Sequence, residues 1–261
     1  MKNVEQFIDN LHLEDFRNES HPAIFDENEE YDMLIVRLPV ITEKLDAKSI
    51  GFLLTDTSSY TYNKDKDIFE ELGNRFESPY KIIDKLTDSV LKSFVKYQDK
   101  IADMEELLYE NHIKGEFMNQ WLALKLDISR IERMLLRTAS TMDEFMEYFK
   151  DAQDFPMNSY VDIHEHLERT MRSATLQLSK LDDLYSFYSA KSNEKMNRLI
   201  YVLTIISAIF LPLNLVVGFF GMNTSNLPFS QAPSGTYYAI SIMTSLFIVT
   251  SLLVYKWHKK V

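Results

Sequence analysis

Two stretches of the chain carry no charge. Leu199–Phe220 is a run of 22 residues without Asp, Glu, Lys or Arg, and Tyr237–Tyr255 is a second run that stops at Lys256. A helix needs roughly 20 apolar residues to cross the hydrocarbon core of a bilayer, so both runs read as spans. The loop between them, GMNTSNLPFSQAPSGT, is short and uncharged. The pair is therefore expected to form a helical hairpin with its outer ends on one side of the membrane.

Upstream the pattern is helical from Pro79 on. Val90, Phe94, Tyr97, Ile101, Met104 and Leu108 recur at alternating steps of 4 and 3. After a break near Asn111–Gly115 the alternation resumes through Phe117, Trp121, Leu124, Ile128, Ile131, Leu135, Thr138, Met142, Phe145 and Phe149. Beyond Pro156 a third series follows: Leu167, Met171, Ala174, Leu178, Leu181, Tyr185 and Tyr188. Such heptad order predicts long helices packed nearly parallel. No Gly or Pro falls between Met157 and Phe210, so the third helix is expected to run unbroken into the first span. Tyr160–Phe220 alone would measure roughly 90 Å at about 1.5 Å per residue.

The N-terminal part has a different pattern. Residues 1–20 read as one or two short helices with Phe7, Ile8 and Leu11 as the apolar face, stopped by Pro22. Ala23–Phe25, Tyr31–Pro39, Ser49–Leu54 and Ser59–Tyr62 read as strands of a small antiparallel sheet. Ser78 is expected to cap the first long helix and Pro79 to open it. The fold class is a mostly α membrane protein. A small α/β cytoplasmic subdomain covers residues 1–78, and a coiled-coil-like bundle with a stalk helix covers 79–198. A transmembrane hairpin covers 199–261, with spans 199–220 and 237–255 and a basic tail.

Charge sets the expected orientation. Lys191, Lys195 and Arg198 precede the first span, and Lys256, Lys259 and Lys260 follow the second. Basic residues beside short spans stay in the cytoplasm, which puts both termini inside, as in a multi-pass protein of the cell (inner) membrane. The net charge of −11 conceals an asymmetry: residues from Lys191 on hold six Lys or Arg against one Glu, leaving −16 in residues 1–190. An acidic soluble part argues against nucleic acid and suits cations. There is no cysteine, so disulfides and thiolate metal sites are excluded. The N-terminal MKNVEQFIDNLHLED is acidic and amphipathic, unlike a signal peptide.

No catalytic constellation is present, so the chain is not read as an enzyme. With six Gly there is no G-x-G-x-x-G and no phosphate loop, hence no nucleotide site. His164 and His166 flank Glu165, but two residues apart on a helix they do not face together. Polarity is concentrated instead in the first span. Asn197, Ile200, Thr204, Ser207, Leu211, Asn214 and Gly218 share one helical face. Amides and hydroxyls are costly against lipid and usually face a cavity or another helix. Their neutral oxygens suit a hydrated magnesium ion, which sheds its waters reluctantly. The same residues could also serve as contacts between helices.

The run IFLPLNLVVGFFGMN, the Gly221-Met222-Asn223 step after the first of two C-terminal spans, and the basic tail KWHKK together resemble the CorA magnesium transporters. The resemblance runs from about Leu13 to the end and is strongest from Tyr160 onward. It implies a homopentamer of identical subunits in the lipid bilayer, with first spans around a pore. The Asn223 ring would select the hydrated ion, and Gly221 and Met222 would shape the turn. Asn197, Leu211, Asn214 and Gly218 would line the pore, Ile200 and Leu203 would form its apolar constriction, and Pro212 matches the mid-span proline. The resemblance further implies regulatory cation sites between cytoplasmic domains, falling on Glu14 and Asp15, on Asp88 and on Asp162. Two departures stand out: the outer loop TSNLPFSQAP lacks the acidic residue common in the family, and Phe220 stands where Tyr is common.

The leading expectation is thus passive magnesium uptake gated by cytoplasmic magnesium, with magnesium as both cargo and regulator. A zinc, cobalt or nickel transporter of the same superfamily is the alternative, disfavoured because the polar face offers no His or Cys. A non-transporting coiled-coil anchor or sensor would need neither the polar face nor the Gly-Met-Asn ending.

Overall fold

The structure, a computed structural model, describes residues 8–110, 115–222, 228 and 233–258. The chain divides into two compact units, Met1–Ser186 and Phe187–Val261. In the first, a short helix α1 (Asn10–Arg17) precedes a five-stranded sheet of β1 (Ile24–Asp26), β2 (Asp32–Ile41), β3 (Leu45–Leu54), β4 (Ser58–Asn63) and β5 (Ile68–Asn74). All neighbours pair antiparallel in sequence order, a simple meander. Three long helices follow: α2 (Glu77–Tyr109), α3 (Phe117–Phe149) and α4 (Met157–Phe220). The last helix is α5 (Gly235–His258).

β2 is buried along most of its length because both faces of the sheet are covered. Strand side chains alternate between faces. Met33 and Ile35 join Tyr31, Leu53 and Phe16 of α1 in one cluster. Leu34, Val36, Leu38, Phe52 and Leu54 point the other way and are equally buried. On that side Thr138 of α3 donates its hydroxyl to the Arg37 carbonyl of β2 at 2.7 Å. The seat of α1 is Gly51: a Cβ there would stand 2.4 Å from the Phe16 ring, so the ring occupies the space a side chain would take.

The heptad residues of α2 (Val90, Phe94, Tyr97, Ile101, Met104, Leu108) are all buried, as are those of α3 apart from the half-buried Trp121. In α4 Leu167, Ala174 and Leu181 are buried one heptad apart. Polar ties register the three helices: Tyr97 to Asp127 at 2.8 Å, Gln98 to Ser173 at 2.9 Å and the Trp121 indole to the Leu181 carbonyl at 2.8 Å. Burial, then the Asp127 carboxylate, push the Tyr97 phenol well above its ordinary range, so it stays protonated and donates.

Several details differ from expectation. β5 had no strand reading because IFEELGN carries two Glu and a Gly and exposes most of one face, the mark of an edge strand rather than of an alternating buried one. Ser78 does not cap α2. The helix begins at Glu77, its N-cap Phe76 makes no side-chain cap, and the Ser78 hydroxyl donates to the Leu72 carbonyl at 2.9 Å. Pro79 still lies in the first turn, where a missing N–H costs nothing. In α1 the anchor is Phe16, while Leu11 is exposed. Phe7 lies outside the described residues.

The two apolar helices, Met157–Phe220 and Gly235–Trp257, contain windows long and apolar enough to cross a membrane, and neither window is buried within the protein. α4 runs unbroken through Pro212.

A branched side chain at Gly51 should displace Phe16. We expect Gly51→Val to destabilise the full chain by about 1–3 kcal/mol, as overpacking does, read as a lower melting temperature in detergent. An unchanged melting temperature would mean that Phe16 is not held on this strand.

Candidate functional site

On the membrane part of α4, Tyr201, Ile205, Ile209, Leu213, Val216 and Phe220 are half-buried. Tyr201 stacks on Trp257 of α5 at 6.2 Å between ring centres, so this stripe is the hairpin contact at that end. At about 100° per residue the polar set lies on nearly the opposite side. Asn197, Ile200, Leu203, Thr204, Leu211, Asn214 and Gly218 are all exposed in the single chain, and Ser207 is half-buried at the margin.

The hydroxyls in the spans divide by how they are satisfied. Thr244 and Thr250 of α5 donate to the carbonyls of Ile240 and Leu246 at 2.9 and 2.8 Å, so their protons need nothing outside the helix. Thr204 likewise donates to the Ile200 carbonyl at 2.8 Å, which leaves its oxygen free to accept. Asn214 is different, because among the described residues its amide has no partner. An amide left unbonded in an apolar medium costs about 2 kcal/mol or more. That face therefore needs water, an ion's hydration shell or another chain.

At the end of the span Gly221 continues the helical ladder, its N–H donating to the Val217 carbonyl at 2.9 Å. A Cβ there would stand 3.0 Å from that same oxygen, tighter than side chains usually accept. Met222 is exposed. Asn223 lies outside the described residues.

The carboxylates form a second locus, in the Met1–Ser186 unit. Asp84 of α2 with Asp162 and His166 of α4 offer ligand atoms that all lie within 4.8 Å of one another. His166 Nε2 is 3.8 Å from Asp162, and His166 Nδ1 is buried without a partner. Two carboxylates and an imidazole could hold a divalent cation, with positions left open for water or for groups of another chain. The imidazole admits zinc, cobalt or nickel beside magnesium.

Of the sequence-predicted carboxylates only Asp162 belongs to this group. Asp88, one turn beyond Asp84, is paired with Lys92 at 2.9 Å, and that hydrogen bond and charge hold its carboxyl below the usual range. Asp15 sits 3.1 Å from His21 and Glu14 is exposed. Asp84 and His166 escaped the sequence reading. Both stand at i, i+4 spacing from a predicted residue, Asp88 and Asp162 respectively, but the spacing does not say that these two faces meet. His164 and His166 do turn apart: His164 faces Asp143 at 3.0 Å.

Comparison with known proteins places the chain. The family model described as CorA-like Mg2+ transporter protein matches residues 4–259. Among curated proteins, YfjQ of Bacillus subtilis is 25% identical over 181 residues, covering 69% of this chain and 56% of that protein. The cobalt/magnesium transport protein CorA of Methanocaldococcus jannaschii is 21% identical over 246 residues, covering 86% of this chain and 75% of its own. The zinc transport protein ZntB of Pectobacterium carotovorum is 27% identical over 164 residues, covering 60% and 47%. The chain thus spans about half the length of several relatives it matches. In fold it resembles the complete structure of the M. jannaschii CorA magnesium transporter, with TM-score 0.74, 17% identity and 95% of this chain and 83% of that one covered. Full-length CmaX gives a TM-score of 0.70 at 18% identity, covering 95% and 81%. With its family model matched almost from end to end, the chain belongs to the CorA-like Mg2+ transporter family.

Proposed function

We propose that the chain is one protomer of a divalent-cation channel, that magnesium is its principal cargo, and that ions pass down their gradient without nucleotide. The observation that carries this is the polar face of α4, turned away from the hairpin contact, with an Asn214 amide that has no partner among the described residues. One hairpin cannot enclose a path, so several first spans must bring these faces together. Five subunits are proposed, by the family resemblance, with the α5 helices toward lipid and both termini in the cytoplasm. Gly221, Met222 and Asn223 form the selectivity filter in this reading. Asn197, Thr204, Ser207, Leu211, Asn214 and Gly218 line the path, and Ile200 and Leu203 narrow it.

Neutral oxygens suit a hydrated ion. The waters around a bound magnesium present their hydrogens outward, so the wall must accept, and amide and hydroxyl oxygens do. A carboxylate would hold the ion more tightly and slow its release. Regulation is proposed at Asp162 with Asp84 and His166, and at Asp88, Glu14 and Asp15. An internal cation bound there would offset the mutual repulsion of the carboxylates and favour the closed state by its difference in affinity between the two states.

A second reading, zinc or cobalt and nickel transport, draws on one specific feature: the imidazole in the regulatory group. The polar face of α4 carries no His or Cys, which keeps magnesium first.

For assembly, native mass spectrometry in mild detergent is expected to give five chains; a monomer or dimer that still conducts would end this reading. For selectivity, Asn223→Ala should abolish magnesium uptake into proteoliposomes while assembly persists, and Asn214→Leu should reduce it less. Uptake at the wild-type rate in Asn223→Ala would remove the filter assignment. For regulation, Asp162→Ala and Asp84→Ala should each weaken inhibition by internal magnesium without altering ion selectivity. Asp88→Ala should do so less, because Lys92 already occupies that carboxylate. His166→Ala should matter more when zinc is the internal ion than when magnesium is. Unaltered inhibition curves in these variants and in Glu14→Ala and Asp15→Ala would eliminate the sensor.

A further inference from the structure

Arginines gather where α3 passes the sheet. An open cavity of about 260 Å³ is lined by Arg37, Arg130, Arg133 and Arg137 together with Pro22 and Ala23. These are four of the nine arginines in the sequence, placed in the segment that carries the excess of Asp and Glu. Arg130, Arg133 and Arg137 fall at i, i+3 and i+7 on α3, one stripe of the helix. Arg37 comes from β2, at the residue whose carbonyl Thr138 holds. Guanidinium groups from two elements thus converge on one space.

Local carboxylates do not explain the cluster. Among the described residues none of the four arginines has an Asp or Glu within ion-pair distance, whereas Arg17, Arg75 and Arg172 each have one. Two of the four are positioned by backbone oxygens instead. Arg37 donates to the carbonyl of Ser20, and Arg137 donates through Nε to the Ala23 carbonyl at 3.0 Å. Each keeps further N–H groups to offer, since a guanidinium carries five. Arg130 and Arg133 are exposed, and among the described residues neither has an ion-pair partner. Like charges held together without a counterion raise the energy of the fold, so the arrangement is suited to an anion from solution.

Chemistry and size narrow the class. Planar guanidinium forks bind phosphate oxygens in pairs and more strongly than neutral donors do. Four positive charges, two of them held by backbone oxygens, match about four negative ones. The volume lies at the small end of ligand sites, large enough for linked phosphates but small for a nucleoside. We propose that this cavity binds a soluble small anion with two or more phosphate groups, pyrophosphate being the simplest. Its lining residues include none of the polar residues of α4 and none of Asp84, Asp162 and His166.

Isothermal titration of sodium pyrophosphate into the full chain in detergent, free of divalent cations, tests this. Saturable binding at one site per chain is expected, weakening as ionic strength rises. The double variant Arg130→Ala, Arg133→Ala should bind at least tenfold more weakly at an unchanged melting temperature, because the backbone bonds of Arg37 and Arg137 are untouched. Arg172→Ala, which removes an arginine elsewhere, should bind as wild type does. The proposal is overturned if wild type shows no saturable binding, or if the double variant binds equally well. It is also overturned if dioctanoyl phosphatidic acid binds these arginines more tightly than pyrophosphate, which would make a lipid headgroup the ligand. Loss of oligomer in the double variant, with pyrophosphate ignored by both proteins, would assign the arginines to a subunit contact and likewise overturn it.

Discussion

Where the sheet meets the long helices, one buried ion pair sits inside a knot of aromatic rings. Arg75 Nη2 lies 3.1 Å from Asp32 of β2, and its guanidinium stacks 4.9 Å from the centres of both Phe76 and Phe149. Phe25 from β1, Phe145 and Phe149 from α3, and Phe155 and Tyr160 at the entry to α4 pack around it. Tyr160 is fully buried and donates to the Phe76 carbonyl at 2.8 Å. Burial raises the Tyr160 phenol far above its usual range and pushes the Asp32 carboxyl up against the pull of Arg75. Removing one partner of such a pair typically costs about 3–5 kcal/mol, because the other charge is left buried alone. Five elements take their relative positions from this point, so it fixes where α2 starts, where α3 stops and where α4 begins.

Everything α4 presents within the first unit follows from that entry. The helix leaves Tyr160 with Ile163, Leu167, Thr170 and Ala174 buried. Asp162 and His166 each fall one residue before a member of that stripe, on the same flank of the helix, where they meet Asp84 of α2. The meeting of Asp162 with Asp84 is thus a consequence of core packing rather than of any pairing between the two carboxylates, which repel. A group assembled by packing against its own electrostatics is available to a cation that relieves the repulsion.

The sequence made the core of α2 and α3 legible almost to single residues, because a heptad repeat of large side chains has one way to face inward. In α4 the series slipped, since Tyr185 is exposed and Leu184 beside it is buried, as are the unread Ile163 and Thr170. The spans were legible for a similar reason, since no soluble surface needs 22 uncharged residues in a row. Edge features were not. β5 is held by backbone pairing to β4 and little burial, so its side chains carry no periodic signal. Ser78 looked like a cap because it precedes Pro79, but a hydroxyl can reach backward to a strand carbonyl as readily as forward. At the site, the polar face of α4 could be read because it lies on one helix. The Asp84–Asp162–His166 group could not, because it depends on which faces of two helices meet. The arginine cavity joins a strand to a helix more than ninety residues away and was equally invisible.

In the proposed reading the two loci divide cation chemistry by dielectric. In an apolar span an ionised carboxylate is expensive, and one that did bind a divalent ion would release it slowly. Amides and hydroxyls spend less on desolvation and interact with the ion through its water. In the solvated bundle the balance reverses. Carboxylates remain charged at little cost, and several of them near one another gain from a cation that neutral groups there could not attract away from water. Weak neutral donors therefore suit passage and charged donors suit sensing. The segregation of Asn197, Thr204, Ser207 and Asn214 from Asp84, Asp88 and Asp162 along the chain follows the two environments.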